Sequence, residues 1–245
     1  MRRALSRLLG IAPPPPQAPP LELPRKADYK GAWNEAARVN AADSVLTGAS
    51  PDTFEATGRS DAALVARHLP REAAVLDIGC GIGRVERYLA PLVRELWAID
   101  VSGEMLRRAA ARLAGIPNVH LREVGNGEFL SFFESGRFDL VFSLLVLQHL
   151  EREDAFLYLR DAHRVLTAGG VLVTQFPNFL SPVYSRAFVE GAGVADRSPG
   201  RVRAFTEAEV RQVVTLAGFE VLETALGGHS EPTAEIYVVA RKPRS

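Results

Sequence analysis

The chain has 245 residues, 47% of them hydrophobic, which is enough for one α/β domain with a buried core and additional segments. Its 29 Lys and Arg residues balance 29 Asp and Glu residues, so the formal net charge is zero. That balance argues against a dedicated nucleic-acid binder, which usually carries a basic excess. One cysteine excludes an internal disulfide and a cysteine-rich metal site. No apolar run approaches the about 18 residues of a transmembrane helix.

The amino-terminal part of the chain is built from two compositionally different segments. Residues 1–25 begin with a short basic, Leu-containing stretch and continue into a run rich in proline. They predict a disordered, extended arm, for which weak contact with a membrane surface is the less favoured alternative. The apolar stretch is too short for a secretory signal, so we expect a cytoplasmic protein. Residues 26–69 predict a helical cap that leads into the core.

Within this cap, Tyr29 and Trp33 are four residues apart and share one helical face. A break is expected at Pro51–Gly58, followed by an N-cap at Ser60 and a helix over 61–69. Together with Phe54, the two aromatic residues are candidates for the wall of a binding site. Packing against a sheet is an equally good interpretation.

A glycine-rich stretch follows an apolar run, Ala73 to Leu76, which predicts a short buried strand. Gly79, Gly81 and Gly83 come next at every second position, before a helix-like run over 84–89. Strand, glycine turn and helix bring bare backbone against a nucleotide-like ligand. A dinucleotide fingerprint would place its last glycine at position 84, where this chain has arginine. A nicotinamide cofactor is therefore disfavoured.

With Asp77 before it, the pattern Asp77-x-Gly79-x-Gly81-x-Gly83 resembles the first motif of the class I S-adenosylmethionine-dependent methyltransferases. A second strand, Leu96 to Asp100, ends in the acidic residue that matches the family's second motif. The resemblance implies a doubly wound, seven-stranded, mostly parallel α/β sheet whose last strand is antiparallel. It also implies S-adenosyl-L-methionine as cofactor and S-adenosyl-L-homocysteine as product. A tight turn without a ligand is the alternative for the glycine motif alone.

Periodicity and turn signals place the remaining elements. Glycines end the helix over 151–166, and a capping box of Thr206 and Glu209 opens the helix that ends near Gly218. The predicted strands after the second are Val119–Val124, Phe138–Ser143, Val171–Phe176, Phe219–Leu226 and Glu235–Arg241. Residues 70–245 thus form the expected methyltransferase domain, with a lid expected at 177–205.

The predicted cofactor contacts follow from the motif and from the resemblance. Asp100 is expected to accept hydrogen bonds from both ribose hydroxyls, with Ser102 capping the next helix. Asn126 stands where the family usually has an aspartate and can still accept a hydrogen bond from the adenine amino group. The full predicted set is Asp77, Gly79, Cys80, Gly81, Gly83, Asp100, Val101, Met105, Asn126, Gly127 and Ser143. No metal is implied.

The loop after the fourth predicted strand should face the transferable methyl group. It lacks the Asn/Asp-Pro-Pro-aromatic motif of amino-methylating DNA enzymes and the Pro-Cys nucleophile of cytosine-C5 enzymes. Its titratable residue, His149, is a candidate general base for a hydroxyl acceptor. A loop-fixing role for His149 is the favoured alternative, and His163 falls on a core-facing helical stripe.

The sequence therefore predicts methyl transfer to a small molecule, with oxygen as the first choice of acceptor atom. An RNA- or protein-modifying methyltransferase and a non-catalytic, cofactor-binding interaction protein are the alternatives. The acceptor and the oligomeric state are not encoded in the donor motifs.

Overall fold

A computed structural model describes residues 27–193, 201–229 and 231–244, so the predicted arm 1–25 lies outside the described residues. Within these ranges, no helix combines the length and the apolar character needed to cross a bilayer.

Seven strands form one sheet in the order β3-β2-β1-β4-β5-β7-β6. All of them run parallel except β7, which pairs antiparallel with both β5 and β6. This is the predicted doubly wound sheet with a reversed last strand. The strands are β1 Ala74–Ile78, β2 Glu95–Asp100, β3 Val119–Glu123, β4 Phe138–Ser143, β5 Leu166–Pro177, β6 Glu220–Gly227 and β7 Glu235–Arg241.

Helices cover both faces of the sheet, so the central strand β1 is buried at every position. Neighbouring residues of β1 point to opposite faces, so Val75 packs in one core and Leu76 in the other. The described helices are α1 Tyr29–Val45, α2 Pro51–Ala66, α3 Glu86–Leu89, α4 Gly103–Arg112, α5 Arg152–Val165, α6 Pro182–Glu190 and α7 Glu207–Leu216. A 3₁₀ turn, Leu147–His149, follows β4.

Two helix starts agree with their sequence signals. The Ser102 side chain accepts a hydrogen bond from the Met105 N–H, and Thr206 and Glu209 form a capping box with both reciprocal bonds present. His163 packs edge-on against Phe219, as expected for a core-facing histidine.

The predicted break at Pro51–Gly58 and the predicted cap at Ser60 are wrong. Helix α2 is continuous, because Pro51 is its first residue and Ser50 caps it by accepting from the Thr53 N–H. Gly58 lies inside the helix. Glycine is needed at this position because a Cβ there would stand 2.6 Å from the carbonyl oxygen of Arg84. The glycine thus allows close packing of α2 on the turn after β1.

Two further boundaries differ from the prediction. Strand β5 begins directly after α5 at Leu166, five residues before the predicted start. Its pairing with β4 shifts register between Phe138 and Leu140. Residues 182–190, inside the expected lid, form helix α6.

Candidate functional site

A cleft of about 930 Å³, counting space open to solvent, lies at the carboxyl ends of β1, β2 and β4. The sheet order reverses between β1 and β4, and in open α/β sheets ligands bind at such a switch point. The cleft is closed on one side by α1 and on another by the loop after β4.

The three motif glycines have different neighbours, although all have left-handed φ angles of +86°, +55° and +81° at Gly79, Gly81 and Gly83. Gly79 and Gly81 line the cleft, and Gly83 does not. A Cβ at residue 79 would stand 2.3 Å from Val146, and one at residue 83 would stand 2.9 Å from Leu113. Glycine is therefore required at 79 and 83 by protein packing, while Gly81 keeps the backbone bare towards the cleft.

Asp100 ends β2 at the wall of the cleft, beside the glycine turn. One carboxylate oxygen accepts from the Gly81 N–H at 2.9 Å, and the other accepts from the Ser102 N–H at 2.8 Å. Burial raises the pKa of Asp100 to about 6, although these backbone hydrogen bonds act in the opposite direction. The result is a rigidly held carboxyl group that faces the cleft.

Asp77 lies behind the glycine turn and does not line the cleft. Its carboxyl group is buried next to that of the fully buried Glu86, and both burial and Glu86 raise the pKa of Asp77 well above its ordinary value. Asp77 and Glu86 therefore form a buried pair of acids behind the turn.

Of the predicted cofactor contacts, seven line the cleft together: Gly79, Gly81, Asp100, Val101, Met105, Asn126 and Gly127. Four lie behind its wall: Asp77, Cys80, Gly83 and Ser143. Cys80 packs with Ala98 and Leu106, and the Ser143 hydroxyl donates to the Ile78 carbonyl at 3.0 Å.

Asn126 lies at the cleft wall, but its amide already contacts the start of α1. Its Oδ1 accepts from the Lys30 N–H at 3.0 Å, and its Nδ2 donates to Asp28 at 2.9 Å. The adenine contact of Asn126 stays a prediction.

Helix α1 contributes Tyr29, Trp33, Ser44 and Val45 to the cleft wall, whereas Phe54 lies elsewhere, beneath the Arg112 guanidinium. The Tyr29 hydroxyl donates to Asp154 at 2.8 Å and accepts from the Glu151 N–H at 2.9 Å. Burial raises the pKa of Tyr29 to about 12, so the phenol stays protonated and joins α1 to the first turn of α5.

His149 lies at the cleft wall, where the edge of Trp33 approaches its ring at a centroid distance of 4.8 Å. The side-chain nitrogen of Gln148 lies 3.0 Å from His149 Nε2, and Arg203 donates to the His149 carbonyl at 3.1 Å. These contacts fix the loop and leave the imidazole at the wall of the cleft. The role of His149 as a general base stays a prediction.

Several lining residues were missed by the sequence interpretation. The chief ones are Phe129, Asp154 and Tyr158, which reach the cleft from the loop after β3 and from α5. Asp154 and Tyr158 are one helical turn apart, and this spacing was the sequence signal that could have placed them on one face of the helix. No Lys or Arg belongs to the described cleft lining, and no cluster of metal-binding side chains occurs among the described residues.

The lining fits a nucleoside cofactor. Asp100 offers a carboxylate for the two ribose hydroxyls, and Val101 and Met105 provide an apolar surface for a purine ring. Gly81 leaves backbone exposed where a Cβ would otherwise project, 3.1 Å from Val45.

Comparisons with known proteins relate the chain to methyltransferases. Residues 75–170 match a family model described as a methyltransferase domain. The chain is 27% identical over 148 residues to phosphoethanolamine N-methyltransferase 1 of Caenorhabditis elegans, covering 60% of this chain and 30% of that protein. It is 32% identical over 130 residues to a ubiquinone biosynthesis O-methyltransferase of Xanthomonas oryzae pv. oryzae, covering 52% of each.

Among solved structures, the magnesium protoporphyrin IX methyltransferase of Synechocystis PCC 6803 with bound S-adenosylhomocysteine superposes with a TM-score of 0.67. The superposition covers 87% of this chain and 97% of that protein at 18% identity, so it demonstrates a shared fold. The chain spans only 30% and 52% of the lengths of the two curated relatives, whose acceptor atoms also differ.

Proposed function

Since residues 75–170 match a family model described as a methyltransferase domain, we propose that the chain is a class I S-adenosylmethionine-dependent methyltransferase and transfers a methyl group from that cofactor to a small-molecule acceptor at oxygen. One observation carries the proposal. The half-buried Asp100 carboxylate and the bare Gly81 backbone meet in a cleft at the switch point of the sheet.

When bound, the cofactor supplies a methyl group that is already activated by its sulfonium. The protein therefore has to bind and orient rather than activate. Asp100 would accept the ribose hydroxyls, and Val101 and Met105 would contact the purine. Tyr29 and Trp33 of α1 lie over the cleft and would exclude water from it.

A small acceptor is proposed because α1 and the loop after β4 leave a cleft rather than an open face. Five aromatic or imidazole rings line it, from Tyr29, Trp33, Phe129, His149 and Tyr158, and its described lining includes no Lys or Arg. These walls favour an apolar or aromatic acceptor over an anionic one.

Oxygen is the proposed acceptor atom because a hydroxyl must lose a proton, and His149 lies against the cleft to receive it. The Gln148 contact favours a loop-fixing role for the same residue. A cytoplasmic location stays a prediction from the sequence.

Calorimetric titration with S-adenosylhomocysteine tests the proposal first. We expect binding to the parent protein, loss of binding in Gly81→Arg, and retention in Gly115→Arg. Gly115 is the matched control, because it also has a left-handed φ but a Cβ placed on it would have no atom within 4 Å.

Acceptor pools are then screened with labelled donor. Binding without product from any pool would favour the non-catalytic, cofactor-binding protein. Product only on RNA, with affinity that falls steeply with salt, would favour the RNA-modifying alternative. No binding at all would overturn the proposal.

A further inference from the structure

The loop Leu144–Val146 adopts a conformation that needs support. Leu145 has a left-handed φ of +62°, which a residue with a Cβ rarely adopts. All three residues line the cleft, and Val146 packs where a Cβ at Gly79 would otherwise project. The position of this loop therefore determines the shape of the cleft above the glycine turn.

A buried glutamine on β5 holds the loop. Gln175 is 1% exposed, and its Oε1 accepts from the Leu145 N–H at 2.7 Å. Its Nε2 donates to the carboxylate of Glu235, which is 6% exposed on β7. Because a carboxylate can only accept and a backbone N–H can only donate, these two partners define one orientation of the Gln175 amide.

Glu235 has a second donor. The hydroxyl of Tyr184, on α6, donates to the other carboxylate oxygen at 2.7 Å. On β7, Glu235 pairs with Pro177 and Tyr237 pairs with Gln175, so Gln175 and Glu235 are diagonal neighbours on one face of the sheet. A continuous hydrogen-bonded series thus runs from α6 through two strands to the loop.

We propose that Gln175, Glu235 and Tyr184 are positioning residues that set Leu144–Val146 over the glycine turn and thereby determine cofactor affinity. This inference rests on the proposed function, because the bound ligand is taken to be the methyltransferase cofactor. The three residues act through the loop, since none of them belongs to the cleft lining.

Exchanging the two central side chains tests the proposal. Gln175→Glu alone places two carboxyl groups against each other. Glu235→Gln alone is milder, because its amide oxygen can accept from Gln175 and its amide nitrogen can donate to the Tyr184 hydroxyl. The double variant Gln175→Glu with Glu235→Gln restores every bond. The carboxylate at 175 accepts from Leu145 and from the amide at 235, whose oxygen accepts from Tyr184.

Two readouts are used, the calorimetric Kd for S-adenosylhomocysteine and amide hydrogen exchange of the peptide containing residues 144–146. We expect Gln175→Glu to weaken binding by about tenfold, which corresponds to about 1.4 kcal/mol, and to accelerate exchange, and Glu235→Gln to have a smaller effect on both. The double variant should recover both. Asp139→Ala is the matched control, because Asp139 accepts from the Ala74 N–H at 2.9 Å at the opposite end of the same sheet.

The control should lose thermal stability without changing either readout. The proposal would be overturned if the folded single variants behaved like the control. It would also be overturned if a folded double variant failed to recover the affinity and the exchange rate. If the parent protein binds no S-adenosylhomocysteine, the proposed function fails separately, while the exchange measurement still decides whether Gln175 and Glu235 hold the loop.

Discussion

Asp77 and Asp100 both lie near the carboxyl ends of neighbouring strands, but Asp77 is buried whereas Asp100 is half-buried at the cleft. Asp77 lies beside Glu86 behind the glycine turn, where burial and the neighbouring Glu86 raise the pKa of Asp77 well above its ordinary value. Asp100 faces the cleft and accepts from two backbone N–H groups. Both residues are recognisable in the sequence, but which carboxyl group lies behind the turn and which faces the cleft depends on what surrounds each of them.

Cofactor affinity should depend on pH through Asp100. Its pKa is raised to about 6 by burial, and only the ionised carboxylate can accept from both ribose hydroxyls. Because the pKa of Asp100 is raised in the folded protein, the free protein loses stability as the pH rises through about 6 and Asp100 ionises. The same ionisation promotes binding of the cofactor. We expect the Kd for S-adenosylhomocysteine to rise about tenfold per pH unit below about pH 6 and to be flat above it.

Asp100→Asn provides the control for this titration. The variant should bind weakly and without the pH dependence attributed to the carboxylate. A parent Kd that is constant between about pH 5 and pH 8 would contradict the assignment.

His149 can be tested once an acceptor is found. If it removes the acceptor's proton, His149→Gln should lower turnover by about a hundredfold or more with little change in S-adenosylhomocysteine affinity. The pH dependence of turnover separates a general base from a loop-fixing residue. Loss of a base removes the pH dependence that comes from its ionisation, whereas loss of a loop contact lowers turnover equally at every pH. Unchanged turnover at every pH would exclude the base.

At the scale of elements, α1 is attached to the domain by apolar packing of Ala37 and Ala41 against Met105 and by polar contacts near its start. Tyr29 joins it to α5, and the Asn34 side chain accepts from the Ser102 hydroxyl at 2.8 Å and from the Glu104 N–H at 3.2 Å at the start of α4. The helix therefore bridges two helix N-termini across the cleft. The shared helical face of Tyr29 and Trp33 was visible in the sequence, but the partners of the helix were not.

Tyr29→Phe should loosen α1. The substitution leaves the Glu151 N–H without its acceptor and Asp154 without its donor, at a cost of about 1–3 kcal/mol. We expect faster limited proteolysis within residues 27–45 and weaker S-adenosylhomocysteine binding. Tyr88→Phe is the control, because the Tyr88 hydroxyl contacts Glu55 and Arg59 away from the cleft. Equal effects of both variants on binding would contradict the role of Tyr29.

Helix α2 shows why a local pattern misleads at this scale. Proline and glycine within eight residues predicted a break, but Pro51 starts the helix and Gly58 permits contact with the Arg84 backbone. The second reason lies 26 residues further along the chain, beyond the reach of any local rule.

At the scale of the whole molecule, the sequence by itself determined the class of fold and the position of the cofactor motif. Strand patterns, helix caps, the glycine turn and Asp100 depend on periodicity and on hydrogen bonds between near neighbours, which are legible in order along the chain. Whether α6 and the rest of 177–205 act as a lid stays a prediction.

Only the tertiary structure decided which motif residues face the cleft. Gly83 packs against Leu113, Cys80 packs against Leu106, and Leu145 is held by a glutamine 30 residues away. These contacts arise because parallel strands bring distant segments to one edge of the sheet, where side chains compete for the same space. No local pattern carries that information, since it exists only after the strands have paired.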